Sequence, residues 1–194
     1  MSSAAAERPL RADARRNREQ VVAVAEAAFL NEGSAVSLDE IARRAGVGAG
    51  TVHRHFPTKE ALIEAVIARR LEALAQHAQS AAEAVDPGPA FYKLFVHIVL
   101  VGGASHAMAD GLTDAGVALQ EAIAAPLGEL WAALARLLVR AQEASAVRDD
   151  LNVADLQALL AGAHTIERHA SGGERGVWLL CEALRPRVAR PRPR

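Results

Sequence analysis

Residues 46 to 60 read GVGAGTVHRHFPTKE. Glycines at 46, 48 and 50, histidines at 53 and 55, Arg54 and Pro57 crowd into one short run. A phosphate-binding P-loop needs a lysine before its Ser or Thr and a strand ahead of it; here Thr51 follows Gly50 and a helical pattern precedes. The dinucleotide fingerprint fails as well, because the spacing set by Gly46 and Gly48 asks for glycine at 51. A metal site fares no better. His53 and His55 stand two positions apart, roughly 200° around a helix, and cannot grip one ion together.

The flanking residues give the run its context. From Ala12 to about Asn31, Val21, Val24, Ala25, Ala28 and Phe29 recur at i, i+3, i+4, i+7 and i+8, one stripe of a helix. NEG at 31 to 33 supplies a left-handed stop. SLDE at 37 to 40 reads as a capping box, with the Ser37 hydroxyl and the Glu40 carboxylate each taking an orphan backbone N–H. Leu38, Ile41, Ala42 and Ala45 form the buried face of this second helix, which Gly46 ends. A third helix, Ala49 to His55, buries Val52 and Phe56. Pro57 stops it, and Thr58 caps a long fourth helix through Ala61, Leu62, Ala65, Val66, Leu71 and Leu74.

Two short helices joined by a glycine turn make a helix-turn-helix, whose second helix lies in the DNA major groove. Its outward face would carry Ala49, Gly50, His53 and Arg54. Small residues at its start let the backbone approach a phosphate or base edge closely. Thr51, His53 and Lys59 are donors suited to phosphate oxygens, and Arg54 can grip guanine O6 and N7 bidentately. Ser37 and His55 complete the candidate DNA-facing set on these helices. The basic residues Arg15, Arg16 and Arg18 would lie near the backbone or an adjacent minor groove.

The region from Arg15 to about Val66 resembles the N-terminal domain of the TetR family of transcriptional regulators. SLDEIARRAGV, then GTVHRHF, then PTKEAL carry the likeness, over about a quarter of the chain. The family pattern has serine where Gly48 stands and tyrosine where His53 stands. The resemblance implies phosphate contacts from Thr51, His53 and Lys59, with Arg54 and Ala49 nearest the bases. It further implies a regulator, expected to be a repressor released from its operator by a small molecule; a constitutive or activating regulator without a ligand is the alternative.

Charge is unevenly spread behind a formal net of −1. Residues 8 to 18 hold five arginines against one aspartate. Residues 61 to 184 hold 8 basic and 15 acidic side chains, a net of −7, and the last ten residues, RPRVARPRPR, hold five arginines and no acid. An acidic body with a basic N-terminal arm suits a polyanion bound at one end. Cys181 is the single cysteine, which excludes a disulfide framework and a Cys-rich zinc module. The start of the chain has no apolar signal-peptide core, and LFVHIVLVGGA at 94 to 104 is too short to span a bilayer, so a soluble cytoplasmic protein with no membrane association is expected.

After the DPGP breaker at 86 to 89, the patterning predicts a helix over about 90 to 108 and a short irregular or helical stretch over 113 to 122. An amphipathic helix follows, with Leu127, Leu130, Trp131, Leu134, Leu137, Leu138 and Ala141 on one face. Asn152, with Asp155 in capping-box position, opens a helix to about His169, and a last one carries Val177 to Leu184. The fold class is all-α, about nine helices, a small three-helix domain and a larger helical one. The expected divisions are a disordered basic arm over 1–11, a DNA-binding domain over 12–57, a ligand-binding and dimerisation domain over 58–185, and an Arg/Pro-rich tail over 186–194.

No nucleophile–base pair, paired carboxylates or metal-ligand cluster stands out in the larger part, so neither enzyme activity, cofactor nor metal is expected. The resemblance implies that its last two long helices pair with those of a second chain, and that the helices before them enclose an inducer. Leu156, Leu159, Leu160, Ala163, Val177, Trp178, Cys181 and Leu184 are the candidates for the homodimer interface. Phe95, His97, His106, Met108 and Trp131 are the candidates to line a cavity for a small apolar or amphipathic ligand. A non-specific architectural DNA binder and an α-helical enzyme are the rival classes.

Overall fold

Apolar stripes at helical spacing, with almost no β-branched alternation, leave the chain one way to bury its leucines and alanines. The computed structural model describes residues 3–109, 117–169 and 173–186, and every regular element among them is helical. These are α1 (Ser3–Glu32), α2 (Leu38–Ala45), α3 (Ala49–His55), α4 (Lys59–Ala82), α5 (Pro87–Ala109), α6 (Val117–Glu143), α7 (Val153–His169) and α8 (Gly173–Leu184), with a 3-10 turn at Gly33–Ala35. The chain divides into two units, Met1–Arg69 with Ala107–Gln120, and Arg70–His106 with Glu121–Arg194.

In the first unit α1 packs on α2 and α3, and α2 packs on α3. Val21, Val22, Ala25, Ala28 and Phe29 of α1 are buried, as are Ile41, Ala42 and Ala45 of α2 and Val52 of α3. Phe56, just past α3, is 1% exposed; full burial of such a ring contributes about 1.5–3 kcal/mol. The Arg18 guanidinium covers that ring at 5.1 Å from its centroid. Gln20 Nε2 donates to the Ala45 carbonyl at 2.9 Å, tying α1 to the end of α2.

Polar caps set the angles between these helices. Ser37 Oγ accepts from the Glu40 N–H at 3.2 Å, one half of the expected capping box. The other half is replaced. Glu40 faces two guanidiniums, accepting from Arg43 at 2.8 and 2.7 Å and from Arg44 Nε at 2.7 Å. A charge-assisted pair outcompetes a single backbone N–H. Arg44 also donates through both Nη atoms to Glu32, so that one arginine links the end of α1 to α2. The Arg43 and Arg44 hydrogen bonds hold the Glu40 carboxyl down at about 2, and the Arg44 bond likewise lowers Glu32.

Gly46 ends α2 in the left-handed region at φ 64°. The Gly46 N–H reaches the Arg43 carbonyl at 3.2 Å and the Val47 N–H reaches Ala42 at 3.1 Å, which closes the helix. Gly33, just past α1, also adopts the left-handed region, at φ 74°. Thr58 Oγ1 accepts from the Ala61 N–H at 3.2 Å and caps α4, as its sequence predicts.

The second unit is a single apolar cluster fed by α4 to α8. Phe91, Leu94, Phe95, Ile98 and Val99 of α5 meet Leu130, Leu134, Leu137 and Leu138 of α6, with Leu156, Leu160 and Ala163 of α7 and Leu184 of α8. Polar bonds fasten its connections. Tyr92 OH donates to the Ala146 carbonyl at 3.0 Å, Arg140 donates to the carbonyls of Ala82, the last residue of α4, and of Ala84 just beyond, and Gln142 Nε2 holds the Arg148 and Leu151 carbonyls at 3.0 and 2.9 Å. The Asn152–Asp155 box closes fully: Asn152 Oδ1 accepts from the Ala154 and Asp155 N–H groups, and Asp155 Oδ2 from the Asn152 N–H. Gly88 has no room for a side chain, because a Cβ there would stand 2.8 Å from that of Ala146.

Several sequence expectations shift. α1 begins at Ser3, where a disordered arm over 1–11 was expected; Ala4, Ala5, Ala6, Glu7 and Leu10 are strong helix formers that prolong the downstream helix. The boundary between units falls between Arg69 and Arg70 rather than after residue 57, because α4 runs unbroken through that point. α5 begins at Pro87 instead of about Ala90, proline being well suited to a first helical position. The stretch over 117 to 122 joins the amphipathic helix to make α6, with Pro126 inside it, giving eight helices among the described residues instead of about nine. Proline there removes one hydrogen bond, and the alanine-rich flanks carry the helix past it. Leu119–Glu143 of α6 is by length and composition apolar enough to cross a membrane, a longer apolar stretch than 94 to 104. Leu130, Ala133, Leu134, Leu137, Leu138 and Ala141 of that helix are instead spent on the core. Residues 187–194 of the tail lie outside the described residues.

Two outcomes follow from this packing. Gly46→Ala meets no neighbour within 4 Å, so its cost is conformational; forcing an L side chain into the left-handed region should destabilise by about 1–2 kcal/mol, read by chemical denaturation. Glu40 is depressed in the folded state, so its contribution is fully present above its ordinary value of 4.5 and is lost as pH falls through about 2. Acid unfolding of Glu40→Gln should therefore lose part of the pH dependence across that window while its stability at pH 7 falls.

Candidate nucleic-acid interface

The geometry of α3 follows from which residues its neighbours consume. Val52 is fully buried and Phe56 nearly so, which turns the opposite side of this two-turn helix outward. Ala49, Gly50, His53 and Arg54 are all exposed, and Thr51 and His55 are half-buried at its flanks. Nothing approaches within 4 Å of the place where a Gly50 Cβ would stand, so the start of the helix presents little beyond backbone. Gly48 is the N-cap in extended geometry and offers no side-chain hydrogen bond; its carbonyl accepts from Thr51 and Val52 at 2.8 and 3.2 Å.

His53 is not isolated. Its Nε2 lies 3.1 Å from Asp39 Oδ1 on α2, so the carboxylate orients the imidazole. Sequence reasoning missed Asp39, because fourteen positions and a helix boundary separate the two, and no spacing rule links them. The pair also sets a negative charge beside a surface that is otherwise basic.

The arginines of α1 divide among different partners. Arg15 Nε stands 3.5 Å from Glu19, Arg16 pairs with Asp13, and Arg18 lies over Phe56. All three are exposed. Arg18 is thus anchored to the base of the α3 connection, while the pairs of Arg15 and Arg16 are surface contacts that solvent and salt weaken. Ser37 is committed to capping α2 and Lys59 opens α4 half-buried. Of the eleven candidate DNA-facing residues, Ala49, Gly50, His53 and Arg54 lie exposed on α3, Thr51 and His55 flank them half-buried, and Ser37 caps α2.

The candidates in the larger part fare differently. Phe95 is 0% exposed and stacks on Phe91 with ring centroids 6.3 Å apart, which makes it core. Met108 is buried but belongs to the first unit, Trp131 is half-buried against the cluster of the second, and His97 is exposed on α5. The His106 side chain lies outside the described residues. Of the candidates described in the second unit, Phe95 is core, while Trp131 and His97 keep part of their surface open. Partial desolvation on the inner side of its ring lowers the pKa of His97, and the neighbouring His77 and Arg70 lower it further.

Of the dimer candidates, Leu156, Leu160, Ala163, Val177 and Leu184 are used in the chain's own core. Their wide apolar arcs serve packing within the chain, since α7 and α8 bury one side against each other and against the cluster. Trp178 is 59% exposed and Leu179, which the sequence reading passed over, is 52% exposed. Leu159 and Cys181 are partly buried at the edge.

Two family profiles match. That of bacterial regulatory proteins of the tetR family matches residues 21–66, and that of the C-terminal domain of SbtR-like transcriptional regulators matches residues 86–186. Among solved structures, a TetR transcription regulatory protein from Mycobacterium vanbaalenii is 42% identical, with 91% of this chain and 99% of that one covered at a TM-score of 0.70. A TetR transcriptional regulator from Streptomyces coelicolor is 29% identical over 88% of this chain and 99% of its own, at 0.66. An HTH-type transcriptional regulator of Staphylococcus aureus strain USA300 is 38% identical over 69 residues, 35% of this chain; the match spans 37% of that curated relative's length. A helix-turn-helix with an exposed, small-fronted second helix, followed by an all-helical body matched along its length, places the chain in the TetR family of DNA-binding transcriptional regulators.

Proposed function

We propose that the chain is a homodimeric cytoplasmic repressor whose grip on a symmetric operator is released by a small apolar or amphipathic ligand. The observation that carries the reading is the outward face of α3, where Ala49, Gly50, His53 and Arg54 are exposed while Val52 and Phe56 are held in the core. On this reading Arg54 contacts a base edge, with Ala49 and Gly50 allowing the approach. Thr51, His53 and Lys59 contact phosphate, and His55, Arg15, Arg16 and Arg18 supply positive or donor groups around them.

One short helix reads too few base pairs for tight specificity, and a twofold pair doubles the contacts at half-sites one helical turn of DNA apart. The outward side of α8, with Trp178 and Leu179, is the apolar surface on which we place the pairing, with Leu159 and Cys181 at its margin. The ligand would seat in the second unit, with Trp131 and His97 as the remaining candidates from the sequence. It acts by favouring an arrangement whose recognition helices no longer match successive grooves. Such coupling is typically about 1–3 kcal/mol, and cannot exceed the ligand's differential affinity for the two forms. No catalytic constellation enters this account.

Selection of bound genomic fragments followed by titration of the recovered operator with small molecules tests the reading: at least one compound should weaken binding, and a chain that retards no duplex at low salt sinks it. Arg54→Ala should cost about 1–3 kcal/mol and relax preference at one position per half-site, whereas Lys59→Ala should weaken all sequences alike and lower the salt slope by about one. Trp178→Asp should shift the chain to monomer in light scattering and lose operator binding with it, since removing a central aromatic from an interface typically costs about 2 kcal/mol or more.

A further inference from the structure

The seam between α4 and α5 carries a pair of side chains that takes no part in the proposed DNA contacts. His77 of α4 and His97 of α5 face each other with ring centroids 4.9 Å apart and planes inclined by 43°. Both are exposed to solvent and both belong to the second unit. Two neutral imidazoles gain little from a tilted contact in water, whereas each keeps a lone pair able to bind a cation. Nitrogens that share a tetrahedral ion at about 2.0–2.1 Å each would hold their ring centres about 5 Å apart, close to the separation of these two rings.

We propose that His77 and His97 form a binding site for a borderline divalent transition metal of the Zn2+, Ni2+ or Cu2+ class, bridging α4 to α5. Imidazole suits these ions, and hard cations such as Mg2+ and Ca2+ prefer oxygen ligands. Among the described residues no group of three or more His, Cys, Asp or Glu side chains gathers. The pair therefore supplies two ligands, and water or a donor atom of a bound small molecule completes the shell. The charges around it are also specified. Arg70 lies two turns before His77 on α4, and its guanidinium is drawn to the far end of the seam, where Nε donates to Ser105 Oγ at 3.1 Å and Nη2 to the Val101 carbonyl at 3.2 Å. Lys93 stands one turn before His97 on α5 and is exposed. Both oppose a cation, so the site should bind more weakly than one with a carboxylate ligand, and should tighten as salt screens them. His53 and His55 of α3 are not part of it.

This inference goes beyond the regulator reading and stands whether or not that reading holds. Its test is titration of the full chain with Zn2+ by calorimetry and with Co2+ by visible absorption. The expected result is one ion per chain, with His77→Gln and His97→Gln each weakening binding by at least about tenfold, since even outer partners of metal ligands are worth 10–100-fold. The His53→Gln/His55→Gln double variant should bind as the parent does. Saturating Zn2+ should raise the thermal midpoint of the parent and not of His77→Gln, because only the folded pair holds the ion. No binding by the parent, or parent-like binding by the His77→Gln/His97→Gln double variant, overturns the proposal.

Discussion

The fold of the first unit turns on a backbone reversal at Gly46. With φ at 64° it satisfies the last carbonyls of α2 and redirects the chain within two residues, so that Val52 and Phe56 can reach the apolar sides of α1 and α2. A longer connection would leave α3 free to rotate. Burial of those two side chains then fixes the rotation of the helix about its own axis, and with it which residues face outward. The outward surface is in this sense a by-product of the inward one, and its small residues are tolerated because packing, not local helix propensity, holds so short a helix.

Charge contributes to the same geometry in a different way. Arg44 spans from α1 to α2 by binding Glu32 and Glu40 together, and Glu40 in turn collects Arg43. These groups are exposed, so each contact is individually weak. Their value lies in direction: a planar guanidinium donates to a carboxylate only along its edges. The arrangement uses a glutamate whose sequence position advertised a different task, that of a capping box.

Much of this was legible in the sequence because local rules dominate there. The i, i+3, i+4 spacing of Val21 to Phe29, the Ser37 and Thr58 caps, the Gly46 stop and the buried pair Val52 and Phe56 all depend on residues within a few positions of one another. The second unit was less legible. Leu156, Leu160 and Leu184 look the same in sequence whether they meet their own chain or another, and only the packing of α5 and α6 decides. Asp39 beside His53, and His77 beside His97, join residues from different helices, where periodicity carries no information. The continuity of α6 through Pro126 has a different cause: alanine-rich flanks and the core beyond carry the helix past the proline.

The chain has two tryptophans, and the fold treats them unequally. Trp131 is half sunk against the apolar cluster, while Trp178 stands 59% exposed. Indole emission reddens in water and turns blue in apolar surroundings, so the two rings give the molecule separable intrinsic colours. Events inside the helical body alter one, and events on the outer side of α8 alter the other. The protein is in effect labelled at both places without any dye.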